Sequence, residues 1–194
     1  TLEHLNKLPS AISHDVYMHC SYDVSENKHW IKKALNQVIR RHLLLEGWTD
    51  RDVAKLGEYN GKPVMVVLLE HFHSSHSIYR THSTSLIAAR DHFHLIGVGS
   101  DAVDDAGRAV FDEFYLLDGS SIFDKLNKLK SICEKNGAAV LYMPSIGMDL
   151  TTIFASNTRL APVQVIALGH PATTHSDFIE YVIVEDDYVG SEKC

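Results

Sequence analysis

No stretch of the 194-residue chain reaches the roughly 18 consecutive apolar residues that a membrane-spanning helix requires, so no membrane span is expected. Cysteine is scarce. Cys20, Cys133 and Cys194 are odd in number and far apart, which argues against a disulfide frame or a cysteine zinc site and for reduced thiols in a cytoplasmic protein. Basic residues are the minority, 18 Lys and Arg against 25 Asp and Glu, and the resulting charge of -7 makes nucleic acid an unsuitable partner. The glycine fingerprints of nucleotide binding are missing: no G-x-G-x-x-G follows the first strand-like run, and there is no P-loop. Repeats and low-complexity tracts are lacking too. Thr1-Leu2-Glu3-His4 has neither the charged n-region nor the apolar h-region of a secretory signal. The first residue is not Met, which leads to the expectation that the chain was cut from something longer.

What is present suits a globular core: 45% hydrophobic and 22% charged residues, together with 13 histidines. Two regions differ in rhythm. Residues 1–60 read as a helical segment. Leu2, Leu5 and Leu8, then Ile12, Val16, Tyr17 and Cys20, recur at helical spacing. Ser25 is a cap for a second helix over Lys28 to Leu45, which Gly47 ends, and Thr49 to Leu56 reads as a short third helix. Gly57 to Gly61 reads as a turn or linker.

From residue 61 to 194 the pattern alternates. Lys62 to Glu70 is a continuous apolar run of strand length, as expected of a strand buried on both faces. Helices are expected over Ser77 to Arg90, Ala106 to Val110, Ile122 to Lys135 and Asp149 to Ser156. Strands are expected over His92 to Val98, Glu113 to Leu117, Ala138 to Met143, Pro162 to Leu168 and Phe178 to Val184. Strands alternating with helices imply βαβ units, hence an α/β, Rossmann-like, doubly wound parallel sheet.

In such sheets ligands bind beyond the carboxyl ends of the strands. Four segments fall there. His71-Phe-His-Ser-Ser-His76 follows the first strand and opens a helix at Ser77. Neutral imidazole is the usual general base near neutral pH, and a helix start depresses its pKa. His71 and His73 alternate, so one of them is expected to face the core. Pro144-Ser-Ile-Gly-Met-Asp149 reads as a loop ending in a helix cap at Asp149. Gly169-His-Pro-Ala-Thr-Thr-His-Ser176 carries backbone and hydroxyl donors at Gly169, Thr173, Thr174 and Ser176, suited to phosphate or sugar oxygens. Glu185-Asp-Asp187 reads as a solvated acidic loop, and His14-Asp15 as helix surface or packing.

Ala161-Pro-Val-Gln-Val-Ile-Ala-Leu-Gly-His-Pro-Ala-Thr-Thr174, continuing through Asp177-Phe-Ile-Glu-Tyr-Val-Ile-Val-Glu-Asp186, resembles the A-P-I-Q…L-G-Y-P-G-T-S-G…D-Y-I-I-x-D segment of O-GlcNAc transferases, glycosyltransferase family 41. His71 to His76 resembles the H-P-T-S-H segment of that family. His170 and Ala172 replace its Tyr and Gly, and tetratricopeptide repeats are missing. With Arg80-Thr-His-Ser83, these departures make the chain look closer to the soluble bacterial N-glycosyltransferases that modify high-molecular-weight adhesins. The resemblance implies half of a GT-B enzyme: residues 61–194 as the acceptor-side Rossmann-like domain, residues 1–60 leading into it, and a C-terminal donor domain outside this chain. It also implies inverting transfer of glucose from UDP-glucose to the asparagine of N-x-Ser/Thr sequons, without a metal. His76 and then His71 are the expected catalytic residues, with Gly169, His170, Thr173 and Thr174 on the sugar or diphosphate.

Two other readings stand beside this one. H-x-H-x-x-H spacing suits a metallo-hydrolase using His71, His73 and His76, although Ser75 occupies the position where that motif has Asp. A non-catalytic Rossmann module that docks proteins is the second.

Overall fold

A computed structural model describes residues 10–167 and 173–184. The helical segment supplies α1 (Ser10–His19), two 3-10 turns (Cys20–Tyr22 and Lys28–Trp30) and α2 (Ile31–Leu45). The α/β part follows as β1 (Glu58–Tyr59), β2 (Lys62–Leu69), α3 (Ser77–Ala89), β3 (His94–Gly99), α4 (Asp105–Arg108), β4 (Glu113–Leu116), α5 (Ile122–Asn136), β5 (Val140–Met143), α6 (Leu150–Ala155), β6 (Val163–Ala167) and β7 (Tyr181–Ile183).

Local chemistry sets the ends of these elements. The α5 start is a reciprocal capping box: Ser121 accepts from the Asp124 N–H while the Asp124 carboxylate accepts from the Ser121 N–H. Its end is Gly137 at φ 61°, where a Cβ would lie 2.1 Å from the Gly57 nitrogen. Asp149 caps α6 through the Thr151 N–H, as expected. Asn60 and Gly61, at φ 52° and 76°, make the two-residue turn that pairs β1 with β2. Of the two readings of Gly57 to Gly61, turn or linker, the structure shows the turn.

Among the described residues six strands run parallel in the order β4-β3-β2-β5-β6-β7, with β1 antiparallel on the start of β2. Without β1 this is the 3-2-1-4-5-6 order of the Rossmann-like doubly wound fold. Val64, Val66 and Leu68 point to one core cluster, and Val67 and Leu69 to the other. This explains why β2 reads as an unbroken apolar run.

The helical segment is not a separate body. Tyr17, Leu35, Ile39 and Leu43 share a core cluster with Val66, Leu126, Leu129, Leu141 and Phe154. Among the described residues the other face is covered by α3 and residues 101–111 over the β2–β3 side. Over β5, β6 and β7 it is an apolar groove of about 390 Å³ floored by Tyr142, Val165 and Ala167.

Two expectations fail locally. The helix expected from Lys28 starts as a 3-10 turn and becomes α only at Ile31. No helix forms over Thr49 to Leu56. The Asp50 carboxylate takes the Arg40 guanidinium at 2.7 and 2.8 Å, the Thr158 hydroxyl and the Arg159 N–H. Buried Arg51 donates to the carbonyls of Ala138, Leu160 and Lys55. These long-range bonds hold the segment extended and outweigh its modest helix propensity.

Candidate functional site

The strand order reverses between β2 and β5. α3 leaves β2 over one face and α6 leaves β5 over the other, so the loops after these two strands diverge and leave a crevice at the carboxyl edge. Residues 70–76 form one lip and residues 144–149 the other. α1 lies against the second lip: Tyr17 and Met18 are the nearest neighbours of a Cβ placed on Gly147, and the His14 Nε2–H donates to the Met148 carbonyl at 3.2 Å.

On the first lip the alternation differs from expectation. Phe72 is the buried residue, bridged to Val103, while His71 is exposed and His73 partly exposed, so neither histidine faces the core. Phe72 fills the apolar site beneath the loop, and both neighbouring imidazoles turn outward. His76 lies with its ring centroid 5.6 Å from His71 and 5.2 Å from His73. Ser74 anchors this corner through its N–H and hydroxyl to Asp104, which also caps α4.

His76 is the N-cap of α3, and its Nδ1 accepts from the Ile78 N–H at 3.3 Å. A nitrogen that accepts a hydrogen bond carries no proton, so the neutral ring bears its hydrogen on Nε2. Burial lowers the His76 pKa, and the nearby His71, His73 and Arg80 lower it further. The lowered pKa favours the neutral ring, whose one N–H is then on Nε2.

His73 Nδ1 is within hydrogen-bond distance of the Ser75 hydroxyl, at 2.9 Å. Among the described residues no group of three His, Cys, Asp or Glu side chains is arranged to hold a metal ion. The spacing His71, His73, His76 thus does not translate into a ready ligand set.

Gly169 and His170 lie outside the described residues, as does Glu185-Asp-Asp187. The segment that follows the turn is described. The Thr173 carbonyl accepts from Lys32 Nζ at 2.8 Å and the Thr174 carbonyl from Asn36 at 2.9 Å. Thr174 is buried and its hydroxyl accepts from the Ser176 N–H. Of the pair, Thr173 is the more accessible.

This corner is electropositive. Burial brings the Lys32 ammonium down to about 8. The His175 pKa is lowered by burial and by Lys33 and Lys32, and that of His29 by burial and by Lys32, Lys28 and His175. Lys32, which donates to the Thr173 carbonyl, also lies over the Tyr17 ring, and Tyr17 neighbours Gly147 on the second lip.

Glu70 is the site residue that sequence reasoning missed. It ends the apolar run of β2, is 4% exposed and binds the 147–152 region. A carboxylate closing an apolar strand was the signal available.

Comparison with known proteins bears out the resemblance read from the sequence. The chain is 74% identical over all 194 residues to proteins of Actinobacillus pleuropneumoniae serotype 5b (strain L20) and serotype 7 (strain AP76), each named UDP-glucose:protein N-beta-glucosyltransferase. It spans 31% of the length of each relative. A family model described as HMW1 domain 2 matches residues 1–43. In structure the chain is similar to a mutant of the Thermobaculum terrenum O-GlcNAc transferase, with a TM-score of 0.60, 17% identity, and coverage of 89% of this chain and 33% of that one. At that identity the likeness speaks for the fold.

Proposed function

We propose that the chain is the acceptor-side part of an inverting glycosyltransferase of GT-B architecture. Its reaction is transfer of glucose from UDP-glucose to the asparagine amide nitrogen of N-x-Ser/Thr sequons in proteins such as adhesins, in the bacterial cytoplasm and without a metal. The observation that carries this reading is the 74% identity, sustained along the whole chain, to proteins named for that transfer. A β-linked product from an α-linked nucleotide sugar requires inversion at the anomeric carbon. The amide nitrogen then bonds to that carbon from the side opposite the diphosphate, and the carbon–oxygen bond breaks with its electron pair leaving on UDP.

Inversion needs an acceptor held across the crevice and a place for its proton. His76 presents its Nε2–H and suits the amide oxygen, a contact that makes the amide N–H easier to lose. His71, exposed and 5.6 Å away between ring centroids, is assigned the uptake of that proton. Gly169, His170, Thr173 and Thr174 are assigned to the sugar or diphosphate, and the cations Lys32 and Lys33 beside Thr173 and His175 favour an anion at that end. Since the chain spans 31% of its relatives, most donor contacts are assigned to the remainder of the protein.

The test uses the full-length protein with UDP-glucose and a peptide carrying one N-x-Ser/Thr sequon. One hexose added to asparagine, β-linked by NMR and undiminished by EDTA, is the expected result. No hexose on asparagine removes the proposal, and loss of activity with chelator removes its metal-free form.

A further inference from the structure

Glu70 is buried at the point where the strand order reverses, and three groups converge on its Oε1. The N–H groups of Gly147 and Asp149 donate to it at 2.8 and 2.9 Å, and the Thr152 hydroxyl lies 2.5 Å away. That hydroxyl has one proton and is also 2.8 Å from the Asp149 carbonyl. That proton lies toward Glu70 Oε1, the shorter contact, so three donors converge on this one oxygen.

Burial raises the Glu70 pKa, outweighing the hydrogen bonds of Thr152, Asp149, Ser145 and Gly147, and no cation is among the groups acting on it. Among the described residues Glu70 Oε2 and the hydroxyls of Tyr17 and Ser145 are buried without a hydrogen bond of good geometry. The three donors on Oε1 are what offset the burial of this carboxyl group.

What Glu70 holds is one lip of the crevice. Met148 lies between the two clamped N–H groups, and its carbonyl accepts from His14. Gly147 sits at φ 110°, a left-handed conformation that favours glycine and that the clamp helps to hold.

We infer that Glu70 is a positioning residue of the transfer site, clamping residues 147–149 and through the Met148 carbonyl setting His14 at the crevice mouth. The inference rests on the transferase reading above. The side chain reaches neither acceptor nor donor, so its effect is on geometry.

Glu70→Gln and Glu70→Ala in the full-length protein test it. The Gln amide oxygen still accepts from Gly147 and Asp149, so kcat is expected within about threefold of wild type. Ala leaves the lip unheld, and kcat is expected to fall roughly 10- to 100-fold with the KM for UDP-glucose within about twofold. Hydrogen exchange at the Gly147 and Asp149 amides should accelerate in Ala and stay slow in Gln. If Ala does not fold, Glu70→Asp, which draws the carboxyl back by one methylene, is expected to give the Ala pattern.

Gln as impaired as Ala overturns the clamp by the Oε1 acceptor. Wild-type kcat or unchanged exchange in folded Ala or Asp overturns the positioning role. Should the wild-type protein transfer no glucose, the function proposal fails, and the exchange measurement still judges the clamp.

Discussion

At the residue scale, His76 has a capping role and, in the proposed function, a catalytic one, and substitution can separate the two. It caps α3 through Nδ1, which leaves Nε2 to carry the proton. His76→Ala is expected to lower turnover of the full-length enzyme about 100-fold and to destabilise the helix start by about 1 kcal/mol. Asn is a good cap and a poor imidazole, so His76→Asn should keep the thermal midpoint while losing the same turnover. Near-normal turnover in either variant would take His76 out of the mechanism.

The same scale gives a pH dependence of stability. His29, His76 and His175 all have folded pKa values depressed below the unfolded value, chiefly by burial. Below about pH 6.5 the unfolded chain binds more protons, so the stability these residues contribute is complete above that pH. It is lost as pH falls through the folded values. Thermal midpoints measured from neutral pH down to about 5.5 should fall, and replacing His29 and His175 with Gln should flatten that fall. The histidine corner was legible because three imidazoles in six residues stand out at a strand end. Glu70 was not, because its chemistry comes from Gly147, Asp149 and Thr152, more than 70 residues away.

At the element scale, the extended segment after α2 depends on Arg51. Its guanidinium ties three carbonyls from different parts of the chain in a site 4% exposed. Arg51→Met keeps the bulk and removes the donors, leaving buried carbonyls unpaired. The expected loss is about 3 kcal/mol, readable by urea denaturation of the full-length protein. A loss under about 0.5 kcal/mol would mean that water replaces the guanidinium at all three carbonyls. This segment shows why residues 49–56 were misread. Nothing within eight residues forbids a helix, and the partners that forbid it lie near Ala138 and Leu160. By contrast α5 was legible in full, since its capping box, apolar stripe and Gly137 stop are all local.

At the scale of the whole molecule, the chain presents a crevice with two lips at the carboxyl edge of its sheet. The isolated chain is expected to bind UDP-glucose weakly or not at all, because the donor contacts are assigned to the remaining length of the protein. Micromolar binding to the 194-residue chain by calorimetry would contradict that division of labour. The α/β class, the order of elements and the candidate corners followed from the sequence itself. Hydrophobic period, caps and turn residues act over a few positions and need no partner to be recognised. Tertiary structure alone decided the strand order that opens the crevice, the merging of the N-terminal helices into the sheet's core, the tautomer of His76 and the burial of Glu70. Each of these depends on groups distant in sequence meeting at one place, and a linear pattern does not encode which of them meet.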